Sequence, residues 1–144
     1  MTATIEQNKA IVRRFNKEII EEGNPQSFRE IVDPAFINHT AAKGIDKGPA
    51  GLIHTFENIL RPAFSELKVT IYEQVGEGDK VTTRKTISGV HTGSFMGIPA
   101  THQPVIIHVM DMVTIKDGKY YEHWGVNTMM ALAAELKALH ADSK

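Results

Sequence analysis

Cysteine is absent from this chain of 144 residues, which excludes disulfides, thiolate nucleophiles and cysteine-based metal sites and leaves the redox compartment unconstrained. An excess of one charge is also missing. Sixteen Lys plus Arg stand against seventeen Asp plus Glu, with no long run of either sign, so neither a nucleic-acid footprint nor a polybasic membrane anchor is expected. No apolar run approaches membrane-spanning length, and Met1-Thr2-Ala3-Thr4-Ile5-Glu6 lacks a basic region followed by an apolar core. A soluble cytoplasmic protein is the expectation. The chain also lacks a phosphate-binding glycine loop, a Gly-x-Ser-x-Gly elbow and a dinucleotide fingerprint, and no helical segment carries two histidines four residues apart. No organic cofactor and no metal are therefore expected.

The length fits one domain, residues 1–144, able to bury roughly two thirds of the surface of its unfolded chain. Ile5, Ile11, Val12, Phe15, Ile19 and Ile20 recur at helical spacing up to Gly23, which predicts an amphipathic first helix. Pro25 suits the first turn of a short second helix, stopped by Asp33-Pro34. Extended chain follows through Phe36-Ile37-Asn38-His39. Gly48-Pro49 opens a third helix with Leu52, Ile53, Phe56, Ile59 and Leu60 as its buried stripe. From Glu66 the period changes to two. One strand carries Leu67, Val69 and Ile71, Gly76-Glu77-Gly78-Asp79 turns the chain, and a second strand runs from Lys80 to about His91. Residues 92–104 read as a loop, yet Phe95, Met96 and Ile98 lie in it, as if it folded over something. Last comes a helix with Met129, Leu132, Leu136 and Leu139 on one side, capped by Asn127 or Thr128. Helices, then antiparallel strands, then a helix make an α+β pattern.

The chemistry concentrates in a long hairpin. Val105, Ile107, Val109, Val113 and Ile115 share one face of an apolar strand with Asp111, and His108 lies on the other face with Ile106, Met110 and Met112. A carboxylate in such a strand must be paired, neutralised or open to an enclosed polar cavity. It is either the chemical residue or a structural one bonded to backbone or a neighbouring His. His91, at a strand end beside a Gly-rich loop, either faces a pocket mouth or is satisfied by the loop. His39 is either a cavity residue or a polar strand end. A two-residue Asp117-Gly118 turn would set Asp111 opposite Trp124; a three-residue bulged loop would set it opposite His123, on the side of Gly125 and Asn127. His54, His102 and His140 read as surface residues.

Several segments in order carry a family resemblance: Phe36-Ile37-Asn38-His39, Gly48-Pro49-Ala50-Gly51, Gly76-Glu77-Gly78-Asp79-Lys80-Val81, residues 89–99, and Asp117-Gly118-Lys119 running into Glu122-His123-Trp124. With these the chain resembles the SnoaL-like polyketide cyclases (ester cyclases) of the nuclear-transport-factor-two-like superfamily. The resemblance implies a curved antiparallel sheet wrapped into a cone by helices, a deep apolar pocket and a homodimer formed on the outer sheet face. It implies intramolecular aldol condensation of a polyketide ester by an acid/base residue, without cofactor. The family's acid falls at Gly125 here, so the expected carboxylate is missing. Its partner position on the preceding strand, often His in the cyclases, is Asp111, and the family pattern favours the register that puts positions 111 and 125 in one cavity. Either the carboxylate has moved across the hairpin or cyclisation has been lost.

The expectation is thus a cofactor-free acid/base enzyme acting on an apolar oxygenated small molecule. Asp111 would be the base, its pKa raised by burial, with His91, His39 and His123 as donors and Asn38, Phe95, Met96, Ile98, Val109 and Asn127 around the substrate. The alternatives are a non-catalytic binding or interaction module of the same fold, or a hydratase- or isomerase-type enzyme using the same pocket.

Overall fold

The computed structural model describes residues 3–142. Helix α1, Ile5–Arg14, starts at Thr4, whose hydroxyl accepts the Gln7 amide at 3.1 Å while the Gln7 side chain accepts the Thr4 amide at 2.8 Å. This reciprocal cap satisfies two amides that a helix start leaves open. The helix widens into π turns over Phe15–Glu21. Asn24 then caps α2, Pro25–Ile31, by accepting the amides of Gln26 and Ser27. Arg14 and Ser27 both donate to Glu18, tying the two helices, and these hydrogen bonds hold the Glu18 carboxyl at about 2.

Strand β1, Val32–Asn38, leads to α3, Pro49–Ile53, which continues as π turns His54–Leu60 and ends in the short α4, Arg61–Ala63. The wide turns change which side chains line up. Ile53, expected in the buried stripe, is 45 % exposed, while Leu52 and Leu60 are buried. Four long strands follow: β2 Phe64–Glu77, β3 Lys80–His91, β4 Pro104–Lys116 and β5 Lys119–Asn127. Helix α5, Met129–Asp142, closes the described chain. Asn127 accepts the Met129 amide at its start, and Leu132 and Leu136 are buried, but Leu139 points outward, off the expected apolar side.

The sheet order is β1-β5-β4-β3-β2, antiparallel except for β1, which runs parallel to β5. The N-terminal helices cover one face, so the alternation in β4 separates buried Val105, Ile107, Asp111, Val113 and Ile115 from exposed Ile106, His108 and Met110. The result is the expected α+β cone. Among the described residues no helix is long and apolar enough to cross a membrane.

The β4–β5 register follows neither expected form. The turn is the two-residue Asp117-Gly118, both with positive φ (51° and 75°), so Lys116 pairs with Lys119. A bulge at Tyr121 then shifts the ladder by one residue, and Asp111 faces Gly125 rather than Trp124 or His123. His123, Gly125 and Asn127 thereby share the face of Asp111, as the bulged-loop alternative had it, though a bulge within the strand produces this.

Candidate active site

Three strand pairings converge on Asp111. Across β3 its partner is Thr83, and one step along is Lys85 opposite Val109; across β5 its partner is Gly125, with His123 opposite Val113; and β1 brings Asn38 beside His123. A polar cluster results on the inner face of an otherwise apolar sheet. The Asp111 Oδ2 atom lies 3.4 Å from Lys85 Nζ and 3.3 Å from His123 Nε2. Lys85, only 4 % exposed, also donates to Asn16 Oδ1 at 2.6 Å, and Asn16 in turn donates to the Val12 carbonyl of α1. Asp111 Oδ1 and its cross-strand neighbour Thr83 Oγ1 are both buried and have no hydrogen-bond partner among the described residues.

His123 is held at both ring nitrogens. Nε2 faces the Asp111 carboxylate and Nδ1 lies 2.9 Å from Asn38 Oδ1. The Thr40 amide donates to that same Asn38 atom, which fixes it as the oxygen of the side-chain amide. Nδ1–H therefore donates to Asn38, and Nε2 stands 3.3 Å from the carboxylate.

Gly125 makes this arrangement possible. A Cβ at that position would lie 2.8 Å from His123 Cε1, 3.1 Å from its Nε2 and 3.3 Å from Asp111 Cβ. The imidazole thus occupies the space that a side chain at position 125 would need in order to leave the backbone.

Burial pushes the Asp111 carboxyl up, but the charge of Lys85, together with the hydrogen bond and charge of His123, outweighs it and holds the group below its usual 3.8. The expectation of a carboxyl raised by burial is corrected by this net direction, because its partner Lys85 had not been foreseen. Tyr120, stacked on Phe15 at 4.1 Å, is driven well above 10 by burial and by the nearby Asp111 charge, so its phenol keeps its proton.

These groups line a cavity of about 130 Å³ between the sheet and the helices. Lys85, Asp111, Tyr120 and His123 are its titratable wall, Asn38, Val109, Asn127 and Thr55 lie beside them, and Phe15, Phe36, Leu60, Ile87 and Ile107 supply much of the apolar remainder. Of the expected site residues, Asp111, His123, Asn38, Val109 and Asn127 meet here. The other five do not.

His91 is fully buried elsewhere. Its Nδ1 bonds to Thr101, both backbone amide and hydroxyl, and its ring lies against Phe64, so it pins the loop that follows β3. Burial pushes its pKa below 6.5. His39 is on the outside, bonded to Glu122 at 2.9 Å and stacked on Trp124. Phe95 packs on Phe64, while Met96 and Ile98 line a separate hollow against α5, so the loop anchors on the start of β2 and on α5 instead of covering the cavity. His54 and His102 are exposed, in line with their reading as surface residues, and His108 is exposed on the sheet face opposite Asp111.

Lys85 and Asn16 were not anticipated. The signal for Lys85 was parity, since it shares a face with Val81, Ile87 and His91 of β3; Asn16 sits four residues after Val12 and three before Ile19, inside the apolar stripe of the first helix. Among the described residues no group of three or more His, Cys, Asp or Glu could hold a metal ion.

The architecture is shared with solved structures. TsrD from Streptomyces laurentii aligns with a TM-score of 0.81 at 24% identity, over 94% of this chain and 98% of that one. IdmH from Streptomyces antibioticus, provisionally assigned as a polyketide cyclase, gives 0.78 at 25% identity over 91% and 99%. AclR from Streptomyces galilaeus, provisionally assigned as a hydroxylase, gives 0.80 at 24% identity over 94% and 98%. A comparison with curated proteins finds no match. Residues 10–136 match the family described as SnoaL-like polyketide cyclase, and the chain belongs to that family.

Proposed function

We propose that the protein is a cofactor-free acid/base enzyme acting on a small oxygenated molecule, and that its reaction is closure of a ring by intramolecular aldol condensation of a polyketide-like ester. The observation that carries this reading is the Asp111 carboxylate, buried in the wall of a largely apolar cavity, with Lys85 and His123 converging on one of its oxygens. Asp111 takes the proton next to a substrate carbonyl; the enolate oxygen that forms is met by the Lys85 ammonium and the Tyr120 hydroxyl; the enolate carbon attacks the second carbonyl; and His123 protonates the resulting alkoxide. The proton removed by Asp111 returns to His123, which resets both groups. An aldol donor with two flanking carbonyls is acidic enough for a carboxylate whose pKa is low.

Family membership supports the reaction class, and the position of Asp111 opposite Gly125 supports transfer of the acid function across the hairpin. His91 and His39 have no part in this scheme. The exposed outer sheet face, with Tyr72, Ile106, Met110 and Val126 at half exposure or more, supports a homodimer through that face.

A second reading, a carrier that binds and does not react, is favoured by the same ion pairing, because a carboxylate held low by Lys85 and His123 is a weaker base. Asp111→Asn separates the two. With a diketo ester small enough for the cavity, the enzyme reading expects loss of at least a hundredfold in ring closure with ligand binding kept; unchanged turnover in the variant would contradict it.

A further inference from the structure

We propose that Phe56 determines the size of ligand the cavity accepts. Its ring is the partition between the cavity beside Asp111 and an outer apolar hollow; it restricts the ligand to a single ring, and without it the two spaces join and admit a fused two-ring compound. The inference deepens the functional reading above and rests on the same cavity. The outer hollow, of about 210 Å³, lies between α2 and the segment that runs from α3 into the π turns of His54–Leu60. Ile19, Pro25, Phe28 and Ile53 give it apolar walls, and Ile53, at 45 % exposure, stands at its solvent side. Among the described residues Phe56 alone lines both this hollow and the cavity of about 130 Å³.

Packing fixes the ring in that place. Phe56 is half-buried against the core and meets Phe15 edge to face, with centroids 5.9 Å apart and planes at 71°, while Phe15 stacks on Tyr120 at 4.1 Å. The row of rings runs from strand β5 through the first helical segment to the π turns after α3, in geometries that aromatic pairs favour, and it holds Phe56 across the gap. The charged side chains at the hollow are occupied by their own neighbours, since Glu57 accepts from Arg61 and Arg29 donates to Gln26. An apolar ring entering the hollow therefore strips neither of a partner. The volumes set the size rule. The cavity alone is close to the roughly 150 Å³ that holds a benzene ring, whereas cavity and hollow together pass the roughly 300 Å³ at which drug-sized pockets begin.

The test uses two probes that are neutral near pH 7 and share one hydroxyl head, phenol and 2-naphthol, with affinities measured by equilibrium dialysis and absorbance. 2-Naphthol carries more apolar surface and binds more tightly wherever room allows. The wild-type protein is expected to bind phenol at least about threefold more tightly than 2-naphthol, and Phe56→Ala to bind 2-naphthol at least about tenfold more tightly than the wild type does, with no gain for phenol. Ile59→Ala, on the same π turns but lining neither space, should leave the ratio of the two affinities unchanged. Adding Ile53→Trp to Phe56→Ala refills the hollow and should cancel most of the gain. Should circular dichroism show Phe56→Ala unfolded, Phe56→Leu keeps more of the packing and should move the ratio in the same direction by at least about threefold. A wild-type preference for 2-naphthol, a ratio unmoved by replacement of Phe56, a gain that survives Ile53→Trp, or binding of neither probe would overturn the inference. Its fate is separable from that of the catalytic reading: a ratio shifted in Phe56→Ala with undiminished turnover in Asp111→Asn removes Asp111 as base and leaves the partition, whereas turnover lost in Asp111→Asn with an unmoved ratio in Phe56→Ala removes the partition alone.

Discussion

Replacing Lys85 by Met keeps most of the stem that packs between β3 and the helices and removes only the ammonium. The Asp111 carboxylate, almost wholly buried, then keeps only His123 beside it, and Asn16 Oδ1 loses its donor. At 3.4 Å and an effective dielectric constant of about 20, the lost attraction is about 5 kcal/mol. Part of this is recovered because a buried ammonium no longer has to be desolvated, and removal of one member of a buried pair costs about 3–5 kcal/mol in measured cases. We therefore expect Lys85→Met to lose about 3 kcal/mol near neutral pH, which for a chain of this size is a fall in Tm of about 10 °C.

The pH dependence gives the prediction its sign. In the native protein the Asp111 carboxyl is held below its usual value, so its contribution to stability is present above the unfolded-state pKa of about 3.9 and disappears as pH falls through the folded value. Without Lys85 the folded value rises, and the variant is disadvantaged most where Asp111 is ionised. The gap between variant and wild type should therefore narrow as the medium is acidified through the carboxyl range. Urea unfolding of both proteins across that range, with the double variant Lys85→Met/Asp111→Asn as a control that recovers at least half of the loss, is the assay. A single variant within about 0.5 kcal/mol of wild type, or a deficit that does not change with pH, would refute the argument.

Gly125→Ala should displace the His123 ring, because the new methyl carbon meets Cε1 at 2.8 Å; the imidazole resonances of His123 should shift in NMR spectra, and any Asp111-dependent turnover should fall more than tenfold, while an unshifted ring would show that the site has slack. If the ionised Asp111 is the base, the acid limb of kcat/KM should lie below 3.8, where the carboxyl titrates under the influence of Lys85 and His123; an acid limb between about pH 5 and 7 would assign the base elsewhere. Met110→Glu with Val126→Glu on the outer sheet face should convert a dimer to monomers with intact circular dichroism; light scattering that finds the same mass for wild type and variant would exclude that face as the interface.

The placement of Asp111 on the buried face of β4 could be read from simple alternation, because Val105, Ile107, Val113 and Ile115 mark that face without ambiguity, and of the two caps expected for the last helix Asn127 is the one that accepts the Met129 amide, whereas the caps at Thr4 and Asn24 were not read. The partners of Asp111 were harder. Lys85 stands in Thr83-Arg84-Lys85-Thr86, an unbroken polar run that suits a solvated strand, and only its parity with Val81 and Ile87 placed it inside. Because the ammonium was missed, the carboxyl was expected to shift upward, and the error in pKa follows directly from the missing neighbour. The bulge at Tyr121 has no counterpart in composition; Tyr120-Tyr121-Glu122 reads as ordinary strand, yet one extra residue decides that Gly125 faces Asp111. For His91, beside a glycine-rich loop, a pocket mouth and satisfaction by the loop were both open, and Phe95, inside that loop, was expected to cover a substrate; the packing of both on Phe64 decides for the loop.

The central claim is that Asp111 acts as a base inside this cavity, and the measurement that reaches it without knowledge of the natural substrate is proton exchange on a ketone small enough to enter. Ethyl 2-methylacetoacetate, whose single proton between two carbonyls exchanges with mildly acidic heavy water slowly enough to observe, can be followed by NMR in the presence of the wild-type protein and of Asp111→Asn. The account predicts exchange accelerated by the wild-type protein, saturable with ketone concentration, and at least about a hundredfold slower with the variant. Acceleration of equal size by both proteins, or none by either while the ketone is bound, would contradict it.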